Sequence, residues 1–206
     1  MSKIQGWFHF KWLYDKMIDQ APAKVDPDRC PIYVEVGCWK GKSAFYLAQG
    51  LKNAEKNVLF YCVDHWEGSD ENAHKKDEDV KNGTLFDTFL NNMAPVKGYF
   101  LPVRMGSVEA AETFADGSID FLFLDAGHTY LDVRADLQAW LPKMKKGAVM
   151  SGDDYATQVR HAVHEWFPSV TVSMEGRCAY WETRITGHEV CRQGEYGSKK
   201  LYEKSS

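Results

Sequence analysis

The stretch Val34-Glu35-Val36-Gly37-Cys38-Trp39-Lys40-Gly41-Lys42-Ser43 decides how this chain is read. It ends an apolar run that begins at Ile32 and opens a segment in which Ala44, Leu47, Ala48 and Leu51 recur at helical spacing. A strand therefore passes into a helix through a turn punctuated by Gly37 and Gly41. Glycine suits such a turn because the backbone must adopt conformations that a Cβ disfavours, or come close to a bound molecule.

Outward from this turn, short apolar runs recur at Val58 to Asp64, Phe100 to Met105, Ile119 to Asp125 and Ala148 to Gly152. Helical periods alternate with them: Val133, Leu137, Trp140 and Leu141 form one, and Val159, Ala162, Val163, Trp166 and Phe167 another. That alternation is the pattern of a parallel α/β sheet. Phe121 to Leu124 is apolar at consecutive positions, as a central strand covered on both faces requires. Pro142 and Pro168 stop helical patterns, and Gly147 opens the strand that follows. Val170 to Met174 and Arg177 to Thr183 flank Glu175-Gly176 and read as an antiparallel hairpin. The expected architecture is a single α/β domain over 1–206, with a mostly parallel seven-stranded sheet, helices on both faces and the hairpin at the C-terminal end.

Two segments are expected to cover a ligand. Phe10, Leu13, Tyr14, Met17 and Ile18 predict an amphipathic helix within 1–25, a candidate lid. Residues 68–95 interrupt the alternation with a charged stretch, Gly68 to Lys81, and then a helical pattern through Leu85, Phe86, Phe89, Leu90 and Met93. This insertion either covers a substrate at the C-terminal sheet edge or is a solvated excursion ahead of a packed helix. Residues 187–206 read as a polar tail.

With 44% hydrophobic and 14% aromatic residues among 206, the chain can bury one sizeable core, and no linker suggests a second domain. Twenty-five Lys and Arg against 29 Asp and Glu leave a net charge of -4, which offers no overall field for nucleic acid or an anionic membrane. The basic run Lys143 to Lys146 is expected to complement a helix end. Cys30, Cys38, Cys62, Cys178 and Cys191 are odd in number and lack C-x-x-C spacing, against both a disulfide framework and a zinc site. Met1 to Trp7 lacks a signal-peptide pattern and no run approaches the ~20 apolar residues of a membrane span, so a cytoplasmic location is expected. The expected partners are a small-molecule substrate and, in a homo-oligomer, further copies of the chain, but neither nucleic acid nor membrane.

Three cofactor classes compete for the Gly37 turn, and spacing separates them. A phosphate-cradling loop needs four residues between its first Gly and the Gly-Lys-Ser, whereas Gly37 and Gly41 enclose three. The dinucleotide fingerprint needs three glycines, and two are present. What remains is Glu35, two residues before Gly37, and Asp64 at the end of the next strand. These suit a cofactor with an amino-acid portion and a ribose but no phosphate, which describes S-adenosylmethionine. Asp64 can accept hydrogen bonds from two ribose hydroxyls, or alternatively cap the helix that follows.

At this point the chain resembles the class I S-adenosylmethionine methyltransferases, and among them the small enzymes related to macrocin-type sugar O-methyltransferases. The resemblance is carried by Val34-Glu35-Val36-Gly37-x-x-x-Gly41-x-Ser43, Val63-Asp64-His65-Trp66, Met105-Gly106-Ser107, Ile119 to Tyr130 and Gly152-Asp153-Asp154-Tyr155. It implies a Rossmann-like methyltransferase fold, with Glu35, Gly37, Gly41 and Ser43 at the methionine end, Asp64 at the ribose and Ser107 on the adenine side. Asp125 and Trp66 are also counted among the cofactor contacts. Trp39, Trp66 and Tyr155 flank the ligand loops and can stack on a ring or pack in the core. The family's usual Gly after the Asp of the fourth strand is Ala126 here.

Methyl transfer from a sulfonium is an in-line displacement, so the protein must chiefly align the acceptor, exclude water and prepare its lone pair. Asp125 ends the fourth strand and Asp153-Asp154 the fifth, which brings three carboxylates to neighbouring strand tips. By resemblance to cation-dependent O-methyltransferases, Asp125, Asp153 and Asp154 are candidate ligands of magnesium. The alternative is that Asp154 caps the next helix and Asp153 bonds loop amides. His128 is a candidate general base acting with Asp125, or else a loop or capping residue. His161 and His164 read as surface or packing residues. The function expected is methyl transfer to a hydroxyl of a small molecule, sugar or phenol-like. A metal-independent methyltransferase and a non-catalytic cofactor-binding module are the alternatives.

Overall fold

The computed structural model describes residues 4–23, 30–69 and 71–189. The chain runs α1 (Lys11–Gln20), β1 (Ile32–Val36), α2 (Lys42–Asn53), β2 (Leu59–Asp64), α3 (Asn72–Lys76), α4 (Glu78–Asn82) and α5 (Leu85–Met93). It continues with β3 (Leu101–Arg104), α6 (Ser107–Ala111), β4 (Ile119–Leu124), α7 (Tyr130–Trp140), β5 (Met144–Gly152), α8 (Thr157–Trp166), β6 (Thr171–Glu175) and β7 (Cys178–Arg184). The sheet order is β3-β2-β1-β4-β5-β7-β6. The first five strands pair in parallel, and β7 runs antiparallel to both β5 and β6. This is the expected Rossmann-like methyltransferase fold, hairpin included.

The alternation of side chains along the central strands feeds two separate cores. Tyr33, Phe121 and Phe123 face α1, α2 and α5, where Phe10, Leu13, Tyr14, Leu47, Leu51 and Phe89 pack against them. Val34, Val36, Leu122 and Leu124 face α6, α7 and α8, with Leu137, Trp140, Ala162 and Val163 opposite. The continuous apolar run of β4 exists because both of its faces are covered. At about 25 cal/mol per Å² of apolar area, these two layers are the main source of stability.

One expectation needs correction, and two short elements were not foreseen. Lys145 and Lys146 lie within β5, not at a helix end, although Lys143 does close a 3-10 turn at Leu141–Lys143. Gly147, at φ +85°, lets β5 bend where its pairing with β4 shifts register, and Lys143 and Lys145 pair with Asp116 and Asp120. The charged stretch of the insertion holds two five-residue helices, α3 and α4, that the charge pattern concealed. The crossover from β3 to β4 uses only the short α6, for which no helical period was visible. Most of the polar tail, residues 190–206, lies outside the described residues, and so does Cys191. Among the described residues no helix is long and apolar enough to cross a membrane.

From β1 the chain moves outward through β2 to β3, then returns to place β4 on the other side of β1. That reversal opens a crevice at the carboxyl ends of β1 and β4, where open α/β sheets bind their ligands.

Candidate functional site

The crevice is a cavity of about 750 Å³. Gly37, Ser43, Asp64, Ser107, Asp125, His128, Asp153 and Asp154 all line it, whereas the expected cofactor residues Glu35, Gly41 and Trp66 stand behind its wall.

Gly37 lies at φ +91°, and a Cβ added there would overlap the backbone carbonyl of Asp125. Its own amide donates to Val63 O at 2.8 Å, and the Asp125 amide donates to Val36 O at 2.7 Å. The turn is thus locked between β2 and β4. Asp64 completes the lock: Oδ2 accepts from the amides of Cys38 and Trp39, both at 2.9 Å, and Oδ1 accepts from that of Trp66 at 2.7 Å. A carboxylate offers about four lone-pair sites, so capacity remains for a ribose hydroxyl. Asp64 does not cap a following helix, since Glu71 holds the N-cap of α3.

Glu35 points away from the cavity into the α1–α2 layer. It is 1% exposed, and it accepts from Tyr14 Oη at 2.7 Å and from Ser43 Oγ at 2.6 Å. Burial raises its carboxyl to about 8, against the lowering effect of those two hydroxyls. Its link to the cavity runs through Ser43. Gly41 is glycine because it takes φ +86° at the N-cap of α2 and has the Phe89 ring packed against it. Trp66 is a core residue, wedged against Phe86 and Phe89, with Nε1 donating to Trp39 O. Tyr155 turns from the cavity to pair with His164 at 2.6 Å.

At the tips of β4 and β5 the carboxylates meet imidazoles. His128 Nε2 is 3.4 Å from Asp125 Oδ1, and Nδ1 is 3.3 Å from both Glu71 Oε1 and Asp154 Oδ2. The hydrogen bond to Asp125, with the charges of Asp125, Asp154 and Glu71, raises His128 to about 9. In the protonated form that these carboxylates favour, the ring has no free lone pair for the base role expected of it. Asp125 is raised by burial, against the pull of His128. Asp153, 5% exposed, is paired at 2.7 Å with Nε2 of His9. Asp154 sits at φ +48° with its side chain largely in solvent, and Ala156 holds the N-cap of α8 in its place. Thr129 likewise caps α7, leaving His128 free of that duty.

The donor set expected for magnesium does not converge. Asp153 pairs with His9, and Asp125 and Asp154 pair with His128, so each of the three carboxylates already has an imidazole partner. Among the described residues no group of three or more His, Cys, Asp or Glu side chains is arranged to hold a metal ion.

The roof of the cavity comes from elsewhere in the chain. Gly6, Trp7 and His9 line it from the segment before α1, and Gly68, Ser69, Glu71 and His74 from the insertion. The helix α1 itself is a core element. Lys40, 6% exposed, joins roof to floor through pairs with Asp77 and Asp79, both at 2.7 Å, and accommodates Gln5 Oε1 at 3.1 Å. His74 stacks on Trp39 at 3.9 Å and 12°, and Trp7 lies 6.3 Å from Trp39. Sequence reasoning missed His9, Trp7, Glu71 and His74. His9 and Asp153 are 144 positions apart, and no local pattern links them. It also missed Asp136, for which a signal existed: a carboxylate inside the apolar stripe Val133, Leu137 and Trp140.

Comparison with known proteins bears on the family and the fold. Residues 34–155 match a family described as a methyltransferase domain, a span from the Gly37 turn to the tip of β5. The uncharacterized protein y4gI of Sinorhizobium fredii is 31% identical over 134 residues, which is 65% of this chain and 14% of that protein's length. The structure of the O-methyltransferase NovP superposes with a TM-score of 0.59 at 17% identity, covering 84% of this chain and 79% of NovP. Cofactor-bound Rv0187 from MTB gives 0.58 at 15% identity, covering 89% and 82%. The precorrin 8W decarboxylase of Methanobacterium thermoautotrophicum gives 0.57 at 14%, covering 90% and 95%, so the shared fold spans several chemistries. With the match extending over the whole cofactor half of the sheet, the chain belongs to the family of S-adenosylmethionine-dependent methyltransferase domains.

Proposed function

We propose that this chain transfers the methyl group of S-adenosylmethionine to a hydroxyl of a small molecule, sugar-like or phenol-like, with His9 as the general base. The observation that carries the proposal is the His9–Asp153 pair on the cavity wall. Burial raises the Asp153 carboxyl, against the pull of the Asp154 amide and of His9; in its ionised form it accepts a hydrogen bond from Nε2–H, which leaves Nδ1 of His9 as the lone-pair nitrogen and fixes the ring. A carboxylate also orients the catalytic imidazole in serine hydrolases, there through Nδ1 rather than Nε2.

The cofactor's methionine end lies at Gly37 and Ser43 and its ribose at Asp64. The acceptor occupies the space below Trp7, Trp39 and His74. Its hydroxyl oxygen attacks the methyl carbon as the carbon–sulfur bond breaks. The bonding pair stays on sulfur, giving S-adenosylhomocysteine, and the hydroxyl proton passes to His9 Nδ1. His128, held as a cation, offsets the charge of Asp125, Asp154 and Glu71 around the acceptor. Enclosure by the three rings supports a small acceptor over a macromolecule, and the likeness of the sequence motifs to macrocin-type enzymes supports a sugar. Magnesium is assigned no step, because the carboxylates that would hold it face His9 and His128.

A screen with methyl-labelled cofactor against hydroxylated sugars, phenols and amines tests this reading. Label is expected on an oxygen. Label confined to amines, or cofactor binding with no transfer to any acceptor class, contradicts it.

A further inference from the structure

Lys40 and Lys42 flank Gly41 in the turn that shapes the cofactor pocket, where a phosphate loop would aim such a cation at its ligand. Here both reach protein. Lys42 Nζ donates to Gly6 O at 2.7 Å, on the segment that carries Trp7 and His9. Lys40 does not line the cavity, and its Nζ meets Asp77 Oδ2 and Asp79 Oδ2 at 2.7 Å and Gln5 Oε1 at 3.1 Å. An ammonium has three donors, so these three partners use all that Lys40 offers.

The partners of Lys40 lie on elements that the core does not hold. Neither α3 nor α4 contains a buried residue, and a helix of five residues is marginal by itself. Asp77 stands at their junction. Its amide donates to His74 O at 3.0 Å and closes α3, while its Oδ1 accepts from the Asp79 amide at 3.0 Å and opens α4. Its Oδ2 is left for Lys40. His74, on α3, stacks on Trp39. Consecutive residues of the cofactor turn therefore grip the same short helix, Trp39 through a ring and Lys40 through the helix end. Without the ammonium, the Asp77 and Asp79 side chains, 8% and 27% exposed, would share their site with no cation. Removing one partner of a buried ion pair is far costlier than lifting a segment that buries nothing, so the roof would open.

We infer that Lys40 is the positioning residue of the acceptor roof: it fastens α3 and α4 to the cofactor turn and thereby sets Glu71 and His74 over the acceptor, while Lys42 fastens the segment of Trp7 and His9. The inference rests on the reading of this cavity as a methyl-transfer site. The backbone of the turn shapes one half of that site, and its two lysines hold the cover of the other.

Trypsin tests this, because Lys75 and Lys76 on α3 and Lys81 on α4 are cleavage sites inside the fastened segment. Cleavage there requires local opening, so its rate follows the population of the open roof. The full chain is digested under native conditions with S-adenosylhomocysteine bound, and the fragments are identified by mass. In Lys40→Met, cleavage after these three lysines should be roughly 10- to 100-fold faster than in the wild type, while cleavage at Lys52 on α2 and Arg160 on α8 keeps its rate. Asp77→Asn keeps an acceptor for the start of α4 and changes the roof alone, so it should show the same pattern more weakly and decides the matter if Lys40→Met does not fold. Calorimetry should give both variants wild-type affinity for S-adenosylhomocysteine, and methyl transfer to the acceptor that the wild type uses should show KM raised about tenfold. Wild-type cleavage rates on α3 and α4, an unchanged KM, or equal acceleration at Lys52 and Arg160 overturns the inference, the last because Lys40 would then support the whole fold. A wild type that does not bind S-adenosylhomocysteine overturns the methyltransferase reading itself, and this inference with it.

Discussion

At the tip of β1, Gly37, Asp64 and the turn between them are joined by backbone amides, and Glu35 is anchored beneath by two buried hydroxyls. At the tips of β4 and β5, Asp125, Asp153 and Asp154 are met instead by side chains, one of them carried on a segment more than a hundred residues away. The first arrangement makes cofactor binding and folding one problem, because the bonds that shape the pocket also hold the strands together. The second separates them. The acceptor side can be altered at the roof without loosening the sheet, which is how one fold comes to serve several acceptors.

The contrast can be broken most readily at Gly37. Gly37→Ala places a Cβ in the Asp125 carbonyl at a left-handed backbone position, so the sheet and the cofactor pocket should fail together. Chemical denaturation should show a loss of roughly 4 kcal/mol or more, with S-adenosylhomocysteine binding abolished. A variant with wild-type stability and affinity would show that the turn is not locked.

Glu35 sharpens the same point through pH. Its folded-state carboxyl is raised to about 8 from an ordinary 4.5, so the fold holds a proton that the unfolded chain releases. Its stabilising effect is therefore complete below pH 4.5, declines as pH rises, and is exhausted above about 8. Glu35→Gln, which can accept from one hydroxyl through Oε1 and donate to the other through Nε2, should remove that slope. The stability difference between variant and wild type should shift in the variant's favour by a few kcal/mol, on the order expected from linkage, between pH 5 and 9. Denaturation curves at the two pH values that differ by the same amount in both proteins would contradict this.

On the acceptor side the expected effects on stability are small. Trp7 is 57% exposed. Trp7→Ala should change stability by no more than about 0.5 kcal/mol and leave S-adenosylhomocysteine affinity intact, while raising KM for the acceptor several-fold. A collapse in stability would mean that the roof is part of the core.

The division also explains what could be read from the sequence. The five parallel strands, the hairpin, the Gly37 turn and Asp64 were legible because each rests on local periodicity or short spacing. Glu35 was found, but its direction was not: side chains alternate along β1, and only the position of Tyr14 shows that Glu35 faces the α1–α2 layer. Trp66 looked like a ligand residue because it follows Asp64, yet its ring closes the core beneath α5. His128 lines the cavity, and its rise in pKa comes first from Asp125, three residues away, with Asp154 and Glu71 adding charge that sequence distance conceals. His9 carried no signal at all, since its meaning comes from a contact with Asp153 across the whole fold.

The central claim is that an imidazole–carboxylate pair, His9 with Asp153, prepares the acceptor hydroxyl without a cation. Its most direct test is methyl transfer to an identified hydroxyl acceptor, measured after exhaustive chelation in the wild type and in His9→Gln, with S-adenosylhomocysteine affinity as the control. Wild-type turnover should survive the chelator, and kcat in His9→Gln should fall by about 10²- to 10⁴-fold with cofactor affinity unchanged. Turnover that disappears on chelation and returns with added magnesium, or a His9→Gln enzyme as fast as wild type, would contradict the account.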